Sequence, residues 1–400
     1  MKSVSIPGVE SESPSNSGIR SDPKRLRVLH VNSGNLYGGV ETLLVTLAQL
    51  RHLCEDMEPH FALCHEGRLS QELIATGVSV HQLGRVRISR PWTVWSARRR
   101  LRELLSRQRF DIAICHMPWS LVVFGSTIQD AGQRLGFWAH GVHTGRSWLE
   151  RWARQTVPDF FVAPSHFSAA SLQTLFRDLP GEVVYCPLAL PDSIPSDSSR
   201  TATRREQSVD DKTAVIIQVS RLEKGKGHLV HLEALSLLKS MDGWVCWMVG
   251  GPQRREEKEY LRHLQQEAKR LGIADRVRFL GQRSDVPKLL AAADVFCQPN
   301  QAPESFGITF VEALWAGLPV ITTSIGGGAE IIDDSCGLLV EPGNTSELAR
   351  SLRSLIESPE LRARFASSGP QRARELCDPA AQMKQMSEFL QCATARTVEA

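Results

Sequence analysis

The sequence predicts an α/β protein made of two doubly wound parallel sheets in tandem, with a cleft between them. Its 400 residues exceed what one hydrophobic core usually fills, which favours two domains. Short runs that are apolar throughout alternate with amphipathic stretches, as in parallel sheets covered by helices on both faces. A polar stretch rich in Pro and Ser, residues 191–212, divides two such series and is typical of a linker.

The first series predicts a domain over residues 25–190, after a segment (1–24) rich in Ser, Pro and Gly that we expect to be disordered. Helical spacing occurs at residues 40–52, 95–107 and 166–177. The apolar runs between the helices indicate seven strands: RVLHVN, HFALCH, VSVHQL, DIAICH, LGFWAH, FFVAPS and VVYCP.

The second series predicts a domain over residues 213–378, and a last helix, 380–396, falls outside its rhythm. Ligands of such sheets bind at the carboxyl ends of the strands, so the cleft between two facing sheets is the expected site. The strands expected here are AVIIQVS, WVCWMVGG, RVRFLG, DVFCQP, PVITTS and GLLVEP, and the helices are 228–240, 254–271, 286–293, 307–316 and 345–357.

Composition argues against several classes of protein. A net charge of only +3 gives no sign of a nucleic-acid partner. The nine cysteines are scattered without a C-x-x-C pair, which argues against a disulfide framework or a zinc site. No segment has the pattern of a signal peptide or a membrane span, so we expect a cytoplasmic protein. We expect buried free thiols in the apolar runs, at Cys115, Cys186, Cys246 and Cys297.

The segment PESFGITFVEALWAGLPVITTSIGGGAE, residues 303–330, carries two carboxylates eight residues apart. If a helix begins near Gly307, Glu304 lies in the loop at its positive end and Glu312 lies about one and a half turns in. Both side chains could then face one cleft and bind hydroxyl groups, while the start of the helix favours phosphate. A surface helix with two solvated glutamates is the alternative.

Two cations follow the first strand of the second series, in VSRLEKGKGH. Arg221 and Lys226 would lie at the carboxyl end of that strand, where Gly225 and Gly227 make the loop flexible. The pair suits a diphosphate whose negative charge grows as its bond to carbon breaks. A basic turn exposed to solvent is the alternative.

The first series offers glycine and histidine candidates. Gly38 and Gly39 lie between a strand and a helix, so their amides could approach an anion, unless they serve only helix–strand packing. The loop is not G-x-G-x-x-G, which argues against a nicotinamide cofactor. His116 and His140 each end a predicted strand and would point to the cleft. Gly141 would let a ligand approach His140, with His143 as a nearby competitor.

Residues 81–102, HQLGRVRISRPWTVWSARRRLR, contain seven arginines and no acidic residue. Trp92 and Trp95 lie among these arginines. Cations together with interfacial aromatic residues on a helix suit the surface of an anionic membrane. The alternative is a solvated helix whose tryptophans turn into the core.

The motifs and their order resemble those of the retaining GT-B glycosyltransferases of family 4, which include bacterial sucrose, mannosyl and lipopolysaccharide-core transferases. The resemblance extends over residues 26–395. It rests on the E-x7-E pair in PESFGITFVEAL, the R-x4-K pair in SRLEKGKG, the GG-x-E loop at residues 38–41, and GLPVITTSIGGGAEII followed by GLLVEPGN. It implies a GT-B fold in which the terminal helix, 380–396, returns to the first domain.

The resemblance also implies a role for each motif in binding a nucleotide-diphosphate sugar. Arg221 and Lys226 would hold the diphosphate. Glu304 would contact hydroxyls of the donor sugar, and Glu312 would contact those of the ribose. His140 would contact the donor sugar and help to position the acceptor. The remaining implied contacts come from Gly38, Gly39, Gly250, Gly251, Phe306, Gly307 and the loop 281–283.

The implied function is transfer of a sugar, with retention of configuration, to a glycan, lipid-linked or small-molecule acceptor in carbohydrate or cell-envelope biosynthesis. Neither a cofactor nor a metal ion is expected, because such family members need no metal and no D-x-D-type pair occurs in a cleft loop. Two alternatives stay open: a noncatalytic nucleotide-sugar-binding protein, and a phosphorolytic enzyme that uses inorganic phosphate as acceptor.

Overall fold

The structure is a computed structural model that describes residues 25–35, 38–188 and 197–395. The segment 1–24, predicted to be disordered, and the first part of the predicted linker lie outside the described residues.

The first half of the chain forms a parallel sheet of seven strands in the order β3-β2-β1-β4-β5-β6-β7. Its strands are β1 (Leu26–Asn32), β2 (Met57–Leu63), β3 (Ser79–Gln82), β4 (Ile112–His116), β5 (Arg134–Trp138), β6 (Phe160–Ala163) and β7 (Gly181–Val183). Its helices are α1 (Gly39–Gln49), α2 (Arg68–Ala75), α3 (Pro91–Arg107), α4 (Met117–Asp130), α5 (Trp148–Ala153) and α6 (His166–Leu172), with a 3₁₀ turn at Leu50–Leu53.

The second half forms a parallel sheet of six strands in the order β10-β9-β8-β11-β12-β13. Its strands are β8 (Ala214–Val219), β9 (Trp244–Val249), β10 (Val277–Gly281), β11 (Val295–Gln298), β12 (Val320–Thr323) and β13 (Gly337–Val340). The helices are α7 (Asp197–Glu206), α8 (His228–Ser236), α9 (Arg255–Arg270), α10 (Val286–Ala292), α11 (Ile308–Trp315), α12 (Gly328–Ile331), α13 (Thr345–Glu357), α14 (Pro359–Cys377) and α15 (Pro379–Ala395), with a 3₁₀ turn at Lys224–Lys226.

Two doubly wound parallel sheets in tandem confirm the predicted fold class. Central strands such as β4, β8 and β9 are buried along their whole length, because helices cover both faces of each sheet. The four cysteines expected in the apolar runs are buried and unpaired: Cys115, Cys186, Cys246 and Cys297.

Helix α15 returns from the second sheet to the first, as the resemblance to the GT-B glycosyltransferases implies for the terminal helix. The ring of Phe389 meets that of Phe160 edge-on, with centroids 5.5 Å apart. Gln385 Nε2 donates to Glu182 Oε1 at 2.8 Å, and Arg134 Nη2 donates to the carbonyl of Ala393 at 2.7 Å. The last helix therefore ties the amino-terminal and carboxyl-terminal halves together.

Two local expectations differ from the structure. The predicted linker contains the helix α7, because its Arg204 side chain is buried and donates to Asp294 Oδ2 at 3.1 Å. The last strand of the first sheet ends at Val183 instead of continuing through VVYCP. Beyond it, Tyr185 stacks on Phe306 of the second half, with ring centroids 5.5 Å apart.

Candidate active site

The candidate residues lie at the points where strand order reverses in each sheet, between β1 and β4 and between β8 and β11. Ligands of doubly wound sheets bind outside the carboxyl ends of the strands at such points. A cavity of about 240 Å³ lies there, between the two halves. Eight of the predicted site residues line it: Gly38, Gly39, His140, Arg221, Lys226, Glu304, Phe306 and Gly307.

Lys226 and Glu304 form an ion pair within this cavity. Lys226 Nζ lies 2.5 Å from Glu304 Oε1, and both side chains are largely buried. The other carboxylate oxygen, Oε2, accepts from Gln298 Nε2 at 3.1 Å and from Asn300 Nδ2 at 3.0 Å. The carboxylate of Glu304 is therefore held from two sides, with its ammonium partner beside it.

Glycines shape the loop that carries Glu304. Gly326 has φ of 74°, and a Cβ atom there would lie 2.5 Å from the backbone nitrogen of Glu304. A Cβ atom on Gly327 would lie 2.5 Å from the carbonyl oxygen of Ser305. The three-glycine loop seen in the sequence is therefore packed directly against the Glu304 loop, and only glycine fits this approach.

Arg221 occupies a more open position than Lys226. Its guanidinium pairs with Glu223 Oε1 at 2.8 Å, and about half of its side chain is exposed. Such an exposed pair contributes little to stability, so it leaves the guanidinium available to an anionic ligand. Arg221 also lines a second cavity on the other side of the Gly38 loop.

The Gly38 amide already has a partner. Gly38 N donates to Glu41 Oε2 at 3.0 Å, and Asn32 Nδ2 donates to Glu41 Oε1 at 3.4 Å. Burial raises the pKa of Glu41, while these hydrogen bonds and the charge of Arg221 oppose that rise. An anion at this loop would therefore meet Gly39 and the start of α1 more readily than the Gly38 amide.

Glu312 lies on α11, just beyond the cavity. Ile308 and Thr309 line the cavity, and Glu312 follows them by four and three positions, which places it on the same helix face. Burial raises the pKa of Glu312 to about 7. Among the described residues no side-chain hydrogen bond or ion pair to Glu312 is found. A buried carboxylate next to the cavity is thus available to a hydroxyl donor.

The glycines at the end of β9 do not line the cavity. Gly250 has φ of 154°, and a Cβ atom there would lie 2.0 Å from the carbonyl oxygen of Ser220. A Cβ atom on Gly251 would lie 2.7 Å from Cβ of Gln282. In this structure both glycines allow the loops after β8, β9 and β10 to pack closely, and their predicted contact with a nucleotide stays a prediction.

Three histidines on the first sheet form a hydrogen-bonded chain. His30 Nδ1 lies 3.0 Å from His116 Nε2, and His116 Nδ1 lies 2.7 Å from His140 Nε2. His140 lines the cavity and His116 lies at the wall of the second one, while the side chains of His30 and His116 are fully buried. Burial lowers the pKa of His30 and of His140 to about 3, and their neighbouring histidines act in the same direction. The three rings are therefore neutral near pH 7.

His143, the competitor of His140, has a different environment. Its Nδ1 lies 3.1 Å from Glu150 Oε1, and the side chain is buried beneath α5. Glu150 Oε2 in turn accepts from the backbone nitrogen of Ser147 at the start of this helix. His143 therefore holds the loop after β5 in place and does not line the cavity.

The second cavity, of about 520 Å³, adjoins the first along the Gly38–Glu41 loop. Residues of the first half make most of its wall, including Ser120, Trp119 and Leu149. Ser120 is buried, and no partner of its hydroxyl is found among the described residues. Arg254 and Glu257 line the cavity from the other half of the chain. The cleft thus has room for a second ligand beside the first.

Sequence reasoning missed the contact that joins the two halves at the cleft. Glu330 accepts hydrogen bonds from the backbone nitrogens of His166 and Phe167 at 3.0 and 2.7 Å. The hydroxyls of Ser165 and Ser168 donate to the carbonyl of Ser305 at 2.5 and 3.0 Å. The acid at the end of the three-glycine loop was visible in the sequence, but its partner lies more than 160 positions away.

The tryptophans of residues 81–102 lie on the surface. Trp92 and Trp95, at the start of α3, are 65% and 64% exposed, so the interpretation in which they turn into the core is wrong. The guanidinium of Arg99 lies 5.9 Å from the centre of the Trp95 ring. Trp148 and Trp152 of α5 are also exposed, and α3 and α5 both pack against α4.

No cluster of three or more His, Cys, Asp or Glu side chains in residues 25–35, 38–188 and 197–395 could hold a metal ion. Over the same ranges, every helix is too short or too polar to cross a membrane.

Models of two protein families match the chain, one in each half. The model described as Glycosyltransferase Family 4 matches residues 37–190, and the model described as Glycosyl transferases group 1 matches residues 199–372. Together the two matches include the cavity loops of both sheets.

Individual proteins are similar to this chain over part or most of its length. A phosphatidyl-myo-inositol mannosyltransferase of Mycobacterium leprae is 35% identical over 38% of this chain and 39% of that protein. The first relatives matched are thus covered over less than half of their own length. The lipopolysaccharide core biosynthesis glycosyltransferase LpsD of Rhizobium meliloti is 25% identical over 87% of this chain and 93% of that protein.

A solved structure shares the whole fold. The structure of Anabaena HepE in complex with UDP-glucose superimposes with a TM-score of 0.81. The match is 24% identical and covers 92% of this chain and 100% of that chain. At this identity the likeness shows the fold, which is GT-B.

Proposed function

Because the chain belongs to the group 1 glycosyltransferases of family 4, we propose that it transfers a sugar, with retention of configuration, from a nucleotide diphosphate to an acceptor. The observation that carries this proposal is the cavity between the sheets, where Arg221, Lys226, Glu304 and His140 converge. Cations for a diphosphate and a carboxylate for sugar hydroxyls lie together there. Anabaena HepE, which shares the fold, has been crystallised with UDP-glucose.

The proposed reaction is a displacement on one face of the sugar. The acceptor oxygen bonds to the anomeric carbon as the bond from that carbon to the diphosphate oxygen breaks. The acceptor's proton passes to the leaving diphosphate oxygen. Arg221 and Lys226 stabilise the charge that grows on the diphosphate, because preorganised donors in a cleft act most strongly where charge develops. No step of this reaction requires a metal ion.

Glu304 and Glu312 would contact different parts of the donor. Glu304 lies within the cavity and would orient the hydroxyls of the donor sugar together with His140. Glu312 lies farther along the same face of α11 and would accept from the ribose hydroxyls. The donor must replace or share the contact between Lys226 and Glu304, because that ion pair lies within the cavity.

The acceptor would occupy the larger cavity beside the Gly38 loop. It lies next to the donor cavity, and Gly38, Gly39 and Arg221 line both. A sugar hydroxyl entering from this side would reach the donor along the Gly38–Glu41 loop. The size of about 520 Å³ is that of a pocket for a small molecule or for one or two sugar units.

Release of free nucleotide tests the enzymatic assignment against a noncatalytic binder. The purified protein is incubated with a panel of nucleotide sugars, and the nucleotide diphosphate formed is compared with a blank without protein. A transferase hydrolyses its own donor slowly even without acceptor, so one donor should give a signal that Lys226→Ala abolishes. Binding of a donor, seen as a raised melting temperature, without any release of nucleotide would favour the binder.

Phosphate as acceptor separates the proposal from a phosphorolytic enzyme. Cleavage of the donor is measured with and without inorganic phosphate. Transfer to a sugar acceptor predicts no stimulation by phosphate. Stimulation with a sugar phosphate as product would instead establish phosphorolysis.

We further propose that the exposed side chains of Trp92 and Trp95, at the start of α3, dock on an anionic membrane. Seven arginines and no acidic residue occupy residues 81–102, so the charge around these two tryptophans complements anionic headgroups. Val86, which lies six positions before Trp92 in the chain, lines the acceptor cavity. Docking would therefore bring a lipid-linked acceptor to the cleft and keep the protein at the inner face of the membrane.

Flotation with vesicles tests the docking proposal. The protein should float with vesicles that contain phosphatidylglycerol, less so at high salt, and not with vesicles of phosphatidylcholine alone. The double variant Trp92→Ser, Trp95→Ser should remain at the bottom of the gradient. Leu237→Ser, at a residue that is 52% exposed on the other half of the chain, is the matched control. Equal flotation of both variants would contradict the assignment of the surface.

A further inference from the structure

The rings of His30, His116 and His140 form a hydrogen-bonded chain that ends at the cavity. Each of its two hydrogen bonds joins one ring nitrogen to the next, at 3.0 and 2.7 Å. Each neutral ring has one N–H and one lone pair, so the proton position in one ring fixes the proton position in the next. Only two arrangements satisfy both hydrogen bonds.

The two arrangements differ at the ends of the chain. In one, His30 Nδ1 and His116 Nδ1 donate, which leaves an N–H at Nδ1 of His140. In the other, His140 Nε2 and His116 Nε2 donate, which leaves a lone pair at Nδ1 of His140 and an N–H at Nε2 of His30. His140 lines the cavity, and its Nδ1 is the nitrogen left for a ligand.

The buried end of the chain distinguishes the two arrangements. His30 Nε2 is buried and has no hydrogen-bond partner within the part of the chain that the structure describes. For backbone groups, a buried N–H without an acceptor is rarer than a buried acceptor left without a donor. The same preference places a lone pair at Nε2 of His30 and therefore its N–H at Nδ1.

The rings are held in the geometry that this relay needs. Trp138 stacks on His116 at 23° and on His140 at 10°, with centroids 5.4 and 5.7 Å apart. On the other side, Phe61 stacks on His30 at 21°. Because burial keeps the pKa of His116 well below its usual range, the middle ring does not take up a second proton that would break the pattern.

We propose that His30 and His116 are positioning residues that hold His140 in its Nδ1–H tautomer. His140 then presents a hydrogen-bond donor to the cleft and does not act as a base there. The role of this N–H in catalysis rests on the proposed function, because the oxygen that accepts from Nδ1–H would belong to the bound donor or acceptor. It also agrees with a mechanism in which the leaving diphosphate takes the acceptor's proton.

Nitrogen NMR of the full chain tests the tautomer directly. The protein is labelled with ¹⁵N-histidine, and long-range proton–nitrogen correlations assign which nitrogen of each ring bears the proton. His140 in the wild type should show a protonated Nδ1 and an unprotonated Nε2. The opposite pattern in the unmodified protein would overturn the proposal, and this measurement needs neither a variant nor a known substrate.

The variant His30→Phe tests whether the relay sets the tautomer. It keeps a ring of similar shape against Phe61 but removes the donor to His116, so His140 should become a mixture of tautomers. Turnover should fall on the order of tenfold, as when the supporting partner of a working histidine is removed, with the KM for the donor nearly unchanged. An unaltered His140 pattern in this variant would refute the relay.

A matched control separates the relay from general damage to a core. His231 is also a buried histidine, with Nδ1 2.8 Å from Gln218 Oε1 in the second sheet. The variant His231→Phe should leave the His140 signals as they are in the wild type. If the His140 pattern is as predicted while no donor is cleaved, the relay stands and the proposed function fails, so the two outcomes are distinguishable.

Discussion

The two walls of the cleft are built in different ways. In the wall from the second sheet, Arg221 and Lys226 lie on the loop after β8. Glu304 lies on the loop after β11, and Glu312 lies on the helix α11 that follows it. The wall from the first sheet takes its histidines from β1, from the end of β4 and from the residues after β5, and assembles them by side-chain contacts. The second sheet therefore supplies charged side chains on short segments of chain, whereas the first sheet supplies neutral imidazoles held by a hydrogen-bonded network.

This difference indicates a division of labour. Groups that compensate the charge of a diphosphate can stand on a flexible loop, because a cation acts over several ångströms. A neutral imidazole acts only through a directed hydrogen bond, so its orientation and tautomer need neighbours. We therefore expect the second wall to dominate turnover, and the first wall and its contacts to tune it.

The largest effect is expected for Lys226→Ala. Losing one preorganised donor to developing charge costs on the order of 10²–10³ in turnover. The protein should remain folded, because Glu304 keeps its hydrogen bonds from Gln298 and Asn300. Lys224→Ala, in the same turn but exposed and outside the cavity, is the control. Turnover of Lys226→Ala within a few-fold of the wild type would refute the role of this lysine.

A smaller effect, but a more selective one, is expected for Glu304→Gln. The amide can still accept from Asn300 but no longer carries the charge that orients the sugar beside Lys226. Turnover should fall roughly tenfold or more, as for loss of a charged hydrogen bond of about 1.5–3 kcal/mol. Affinity for the free nucleotide diphosphate, measured by calorimetry, should change less. Equal losses in turnover and affinity would contradict a role specific to the sugar.

A variant at the contact between the two walls should have an intermediate effect. Glu330→Ala removes both acceptors of the His166 and Phe167 amides and so favours opening of the cleft. The apparent affinity for the donor should fall roughly threefold to tenfold, about 1 kcal/mol, with turnover at saturating donor little changed. Asp334→Ala, an exposed acid nearby, is the control. A fall in turnover without loss of affinity would place Glu330 in the reaction instead.

The second wall could be predicted from the sequence, and the first only in part. The pairs Arg221 with Lys226 and Glu304 with Glu312 are short-range patterns, so strand–loop–helix order was enough to bring them to one edge. The contact of Lys226 with Glu304 joins positions 78 apart, which no local pattern encodes. His30 reads as one more residue of a buried strand, and only the packing of β1 beside β4 reveals its partner.

Two helices, α14 and α7, depend on tertiary contacts that local sequence patterns do not encode. Helix α14 is not among the predicted helices, and it contains Gly369 and Pro370, which usually interrupt a helix. Gly369 is buried where a Cβ atom would lie 3.0 Å from the carbonyl oxygen of Leu314 on α11. The tertiary contact with α11 thus outweighs local propensity there. In the same way, the ion pair of Arg204 with Asp294 turns a linker-like sequence into helix α7.

The effect that we predict for Glu312→Gln is on the stability of the fold, and it depends on pH. Burial raises the pKa of Glu312 to about 7, whereas a free glutamate titrates near about 4.3. Between these values the unfolded carboxyl has lost its proton and the folded one has kept it, so stability falls as pH rises through this range. The variant removes this contribution and should gain on the wild type from about pH 5 to 7 and then stay level.

The gain should be at most on the order of 1 kcal/mol per pH unit. Denaturation midpoints of variant and wild type, measured across this range, give the difference. Glu357→Gln, at an exposed position beside Arg353, should run parallel to the wild type. Parallel curves for Glu312→Gln as well would mean that its carboxyl is ionised in the folded protein. The ribose hydroxyls would then meet an ionised carboxylate throughout this pH range.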